Sequence, residues 1–202
     1  MKKVVLTLLT LLLVMGTKAQ ESQTEYNFLR LPVSAHAAAL GGENITIIED
    51  DPALMFSNPA LASSVSDNTV GLNYMNYMHG ANYMGASYTK ALGEKATIAG
   101  GILYMNYGKM KQVDENNVQT GTFNASDIAL EGIFSYELAR NLVGGITAKF
   151  ITSYIGNYNS MAVGVDLGLN WYEPERQWSV SVVAKNLGGQ VKAYEEDYGK
   201  MP

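Results

Sequence analysis

From Met161 to Trp171 the side chains alternate without a break. Met161, Val163, Val165, Leu167, Leu169 and Trp171 would share one face of an extended chain, and Ala162, Gly164, Asp166, Gly168 and Asn170 the other. Successive strand residues point to opposite sides, so this run has one apolar face and one small or polar face. The pattern recurs. Ile128, Leu130, Phe134, Tyr136 and Leu138 stand against Asp127, Glu131, Ser135 and Glu137; Ile146, Ala148 and Phe150 against Thr147 and Lys149; Trp178, Val180 and Val182 against Ser179 and Ser181. Two settings satisfy such alternation: a soluble sheet with one wet face, and a barrel wall whose outer face meets lipid.

Run length and chain ends favour the second setting. The runs reach about 10 to 14 residues, beyond the usual globular strand and near the tilted span of an outer-membrane wall. Aromatic residues sit toward their ends, at Tyr74, Tyr77, Tyr83, Tyr104, Tyr107, Tyr136, Tyr154, Trp171, Tyr172 and Trp178. Tyrosine and tryptophan suit a membrane interface because each joins an apolar ring to a polar tip. At the amino terminus Lys2 and Lys3 precede an apolar run that ends near Met15, and Thr17, Lys18 and Ala19 follow as a cleavage site. Residues 1–19 are therefore expected to be a removed signal peptide. No later window has the length of a membrane helix, and an exported chain that spans a membrane without helices must do so as a closed barrel. Composition adds two exclusions. With 14 basic against 19 acidic residues there is no basic footprint for nucleic acid. With no cysteine there is neither a disulfide framework nor a lipidated amino-terminal cysteine.

The sequence divides into that leader, a non-alternating stretch at 20–64, and an alternating region at 65–202. The pattern predicts about seven strands in the last region. Charged turns at 92–94, 139–141 and 173–176 alternate with connections at 78–80, 109–121 and 156–159, of which only 109–121 is long enough for a surface loop. Seven strands fall below the even minimum of eight for a single-chain bacterial barrel. The polar run from Lys192 to Lys200 is also an unusual finish, so the expectation is an amino-terminal part of a larger wall.

Within 20–64, residues 20–27 read as a loose periplasmic lead and 28–61 as a compact plug. Ser34 is placed to cap a short helix that Gly41 and Gly42 stop. Residues 44–48 are β-prone, Asp50, Asp51 and Pro52 form a turn, 53–56 allow another helical turn, and Asn58 before Pro59 closes it.

The joined motifs LPVSAHAAALGG and DDPALMFSNPALAS resemble the amino-terminal signature of the PorV/PorQ family, outer-membrane proteins of the type IX secretion system in Bacteroidetes, and look closer to its PorQ side. The Asn58-Pro59-Ala60 element is also similar to the hatch of FadL-like barrels, and Ala184 to Gly188 resembles a strand-end element of the same family. The resemblance implies an all-β transmembrane antiparallel barrel of FadL-like type with an amino-terminal plug, located in the cell outer membrane. Its plug motif falls on Pro32, Ala35, Ala38, Leu40, Gly41, Gly42, Asp51, Pro52, Asn58, Pro59 and Ala60. The implied partners are outer-membrane lipid, other type IX secretion proteins and secreted cargo. The resemblance implies no catalytic role and no cofactor. A FadL-like channel for hydrophobic small molecules is the competing reading, and a barrel that only organises its neighbours is a third.

The residues themselves offer little reactive chemistry. His36 and His79 are the two histidines, and no spacing with acids suggests a metal site. A Ser-His-acid lipase would need one of them to be essential. Asp50 and Asp51 read first as a turn, with a paired carboxylate or calcium site as the sharper reading. Glu43 and Asn44 precede the wall. Asp127, Glu131, Glu137, Lys149 and Asp166 fall on the polar face and are expected inside the barrel, either lining a conduit, anchoring the plug or filling the lumen.

Overall fold

A computed structural model describes residues 26–194; the leader, residues 20–25 and the polar run from 195 onward lie outside the described residues. The chain is all-β. Seven antiparallel strands form one sheet in sequence order: β1 (Thr69–Asn76), β2 (Asn82–Leu92), β3 (Ala96–Val113), β4 (Gln119–Ala139), β5 (Leu142–Ile155), β6 (Tyr158–Glu173) and β7 (Trp178–Lys192). Among the described residues β1 and β7 each pair on one side only, so the sheet is not closed. Among the described residues no helix is long and apolar enough to cross a membrane.

The meander follows from local chemistry. The two-residue turns at 140–141 and 156–157 place Asn141 and Gly156 at φ 64° and 59°. Asparagine and glycine accept this left-handed conformation, which matches the twist of the flanking strands. Register then sorts side chains by parity. Leu130 pairs with Phe150 and Phe150 with Val163 on the outer face, while Glu131 pairs with Lys149 and Lys149 with Gly164 on the inner face.

The outer face is apolar and open: Leu72 is 78% exposed, Val182 67% and Leu130 49%. The inner face is covered by residues 26–65. These form a 3-10 turn at Asn27–Arg30, helix α1 at Ala35–Ala39, and 3-10 helices at Pro52–Phe56 and Pro59–Ser64. The core lies between this plug and the wall. Phe28, Leu54, Met55 and Leu61 are its largest fully buried apolar side chains, and all four belong to the plug. Tyr83, Leu103, Met105, Ile133 and Ile151 meet the plug from the strands.

Several expectations are corrected. Tyr83 is buried, Tyr77 packs against the core, and the Tyr107 hydroxyl donates to Asp127 at 2.6 Å, so these three leave the interface set. Residues 44–48 form no strand, because Asn44 Oδ1 accepts from the backbone N–H groups of Thr46 and Ile47, both at 2.9 Å, and folds the chain back. The supposed loop at 109–121 is mostly sheet, with a turn at only 114–118. Tyr26, assigned to a loose lead, hydrogen-bonds through its hydroxyl to Ser160 Oγ at 2.8 Å inside the wall.

If the plug is the core of this fold, truncating it should unfold the wall as well. Leu54→Ala is expected to cost about 2–5 kcal/mol in urea unfolding of the purified protein. An unchanged midpoint would show that the strands stand without the plug.

Candidate functional site: the plug seat

The plug rests on glycines. On the inner face of five strands a glycine lies beneath a plug residue, and a side chain there would collide with it. A methyl group on Gly71 would stand 2.6 Å from Cγ of Pro52, and one on Gly85 2.9 Å from Cγ1 of Val33. The Phe56 ring covers Gly101, the Pro59–Ala60 backbone covers Gly145, and the Asn58 amide covers Gly168. The outward glycines differ: Gly100 and Gly132 have nothing within 4 Å of the corresponding position. Parity therefore separates the two members of the pairs at 100–101 and 144–145, and only the inner one is a seat.

Polar groups hold the plug's own shape. Ser34 Oγ accepts from the Ala37 N–H at 3.1 Å and caps α1, while its hydroxyl donates to Asp51 Oδ2 at 2.6 Å. Asp51 Oδ1 accepts from the Ala53 N–H at 2.9 Å and starts the helix that presents Pro52 to Gly71. Asn58 is fully buried. Its Oδ1 accepts from the Ala60 N–H at 3.0 Å and its Nδ2 donates to the Ile45 carbonyl at 2.8 Å, joining two parts of the plug. Asp50 latches the plug to the chain entering β1, accepting from the Ser66 hydroxyl at 2.5 Å and the Ser66 N–H at 2.7 Å. These bonds hold the Asp50 carboxyl below its usual value of 3.8, the side-chain bond from Ser66 most strongly.

The motif residues thus separate into two groups. Asp51, Pro52, Asn58, Pro59 and Ala60 converge on the seat. Gly41 and Gly42, at φ 108° and 125°, end α1. Pro32 is half-buried, whereas Ala35, Ala38 and Leu40 face solvent, Leu40 with 61% of its surface exposed. His36 Nδ1 lies 2.7 Å from Glu49 on the plug surface, and His79 occupies an exposed turn. Among the described residues, no group of three or more His, Cys, Asp and Glu side chains gathers as a metal site.

Charges on the inner face meet in two places. Lys149 Nζ lies 2.6 Å from Asp166 Oδ2, 3.6 Å from Glu131 Oε1 and 3.3 Å from Asn186 Oδ1, with all three charged side chains buried. Asp166 Oδ1 also accepts from the Asn186 N–H at 2.7 Å. Removing one member of such a buried set leaves an uncompensated charge, so these residues are mutually dependent. Nearer the other end Asp127 accepts from Tyr107 and Ser153, and the Tyr194 hydroxyl donates to Ser153 at 2.5 Å. Polar groups also tie plug to wall: besides the Tyr26–Ser160 bond, Glu43 pairs with Lys185, and the Thr46 hydroxyl donates to Ser179 Oγ at 2.7 Å. Glu131, Lys149 and Asp166 thus form one buried charge set on the inner face, and Glu43 joins the plug to Lys185 of the wall. The glycine seats, Tyr107, Ser153 and Ser179 are contact positions that sequence reasoning missed; inner parity of the glycines was the one available signal.

No protein-family model matches the chain, and no curated protein matches it.

Two expectations follow for the seat. Gly168→Ala should destabilise the folded protein by about 1–3 kcal/mol by displacing Asn58, whereas Gly100→Ala should be close to neutral. Equal thermal midpoints for the two variants would remove the seat as a constraint. The Asp50 latch has a pH signature. A carboxyl whose folded value is depressed adds its full share above the ordinary 3.8 and loses it as pH falls through the lowered value. Measured against Asp50→Asn at the same pH, the wild-type thermal midpoint should fall as pH drops below 3.8. A difference between the two midpoints that does not change with pH would mean that the latch bears no load.

Proposed function

We propose that this chain forms wall and plug of an outer-membrane β-barrel that supports type IX secretion, acting in export or surface attachment of cargo proteins. The observation that carries the membrane part is the inversion of polarity across one sheet: the exposed face is apolar, while buried ions and hydroxyls lie on the face under the plug. Lipid is the solvent that suits such an outer face, because a charge there near mid-bilayer costs about 2–4 kcal/mol. A membrane wall leaves no strand edge unpaired, and in this reading the edges of β1 and β7 are where the wall would be completed. The secretion part rests on the joined plug motifs, whose Asp51, Pro52, Asn58, Pro59 and Ala60 are the residues that seat the plug. In this reading the plug is a permanent part of the core, and the protein works as a platform for partner proteins.

A second reading, uptake of hydrophobic small molecules, is favoured by one feature. Beside the Asn27–Arg30 turn, Leu29, Ile151, Ala162 and Gly164 line part of a recess of about 220 Å³. The deciding experiment is deletion of the gene in the parent bacterium, followed by comparison of type IX cargo in medium and periplasm. Periplasmic accumulation with unchanged bulk outer-membrane composition is expected. Normal export would sink the secretion reading and leave solute uptake to be measured.

A further inference from the structure

Strands β3 and β4 outrun their neighbours. Beyond the pair Asn106 with Asn82 on one side, and Ala125 with Ile155 on the other, they pair only with each other, from Lys109 opposite Asn124 to Val113 opposite Gln119. This leaves a two-stranded ribbon standing roughly 15 Å past the rim, at about 3.3 Å per residue. A bulge containing Gly108, at φ 74°, interrupts the register, which then resumes. Asn124 shares parity with Ile128 and Leu130 on the outer face, and paired residues share a face, so Lys109 and Lys111 project outward above the apolar wall.

Followed along its outer face, β3 changes from Ile98 and Ile102 to Tyr104, then Asn106, then Lys109 and Lys111. That sequence of polarity matches the passage from hydrocarbon through interface to headgroup layer. The two lysines are about 7 Å apart, as residues two positions apart on a strand must be. Among the described residues neither forms an ion pair with a carboxylate. The turn at the ribbon's tip carries two acids, Asp114 and Glu115; Asp114 spends Oδ1 on the N–H groups of Asn116 and Val118, at 2.9 and 2.8 Å, which fixes the turn.

We propose that the outward face of this ribbon, through Lys109 and Lys111, binds the phosphate groups of lipid headgroups in the leaflet at its base. The inference rests on the membrane reading given above. Lysines on a projecting ribbon also discourage edge-to-edge strand pairing, but a guard of that kind has no preference among lipids.

The test uses the full chain in two assays. In flotation, wild type should enter pure phosphatidylcholine vesicles. In native mass spectrometry of the detergent-solubilised protein, wild type should bind diphosphoryl lipid A about 10–30-fold more tightly than the same lipid stripped of phosphate, since each lysine near an anionic surface contributes about one factor of five. Lys109→Gln with Lys111→Gln should abolish that preference, Lys95→Gln at the opposite rim should keep it, and millimolar inorganic phosphate should fail to displace the lipid. A double variant that retains the preference, or displacement by inorganic phosphate alone, overturns the proposal while leaving the membrane reading intact. Failure of wild type to float overturns the membrane reading and the proposal together.

Discussion

Close approach of the plug to the backbone of the wall is the constraint on which this molecule depends. The plug reaches the wall only because Gly71, Gly85, Gly101, Gly145 and Gly168 present no side chain beneath it. Proline and asparagine then take the vacated space, their conformations already restricted by the ring or by a hydrogen bond to the next turn. Little entropy remains for these residues to lose on docking. Phe28, Leu54, Met55 and Leu61 of the plug meet Tyr83, Leu103, Met105, Ile133 and Ile151 of the wall, and this apolar area holds the assembly. Plug and wall accordingly share the hydrophobic core.

This division explains how one sheet carries opposite polarity on its faces. A soluble sheet of this length would bury its apolar side; here that side is open, and the buried side holds Glu131, Lys149 and Asp166. Such a set is stable only when complete, because each charge has surrendered water and depends on its neighbours. The same logic keeps Asp127 among Tyr107 and Ser153. Paired in this way, the inner face beneath the plug is ordered, and the proposed platform role draws on that order.

Helix and turn chemistry accounts for the remaining plug geometry. Ser34 and Asp51 act together: one oxygen caps α1, and one carboxylate both receives the Ser34 proton donor and starts the Pro52 helix. Asp50 then fixes the exit toward β1. In contrast, Ala35, Ala38 and Leu40 carry none of the packing, and nothing in the structure explains the apolar character of that exposed surface.

Periodicity was enough to read the strands, their faces and the turn order, because a period of two leaves no freedom about which side a residue faces. Local chemistry likewise made the Ser34 cap, the Gly41–Gly42 stop and the break at Pro52 legible from neighbours in the chain. Other features were not local. Tyr83 and Tyr107 are strand tyrosines like Tyr104, yet they face inward; Tyr107 is three positions from Tyr104 and so of opposite parity, while Tyr83 sits opposite the inward Met105. Residues 44–48 have strand-forming side chains, but the Asn44 side chain competes for their backbone and no neighbouring strand offers pairing. The ribbon at 109–121 read as a loop because its polar residues lack alternation, although cross-strand hydrogen bonds need none. Above all, the seats require two segments far apart in sequence to meet within a methyl group's width. The sequence by itself determined strand, face and turn; tertiary structure decided which glycines bear the plug, because that depends on contact between chain segments and not on the preference of either one.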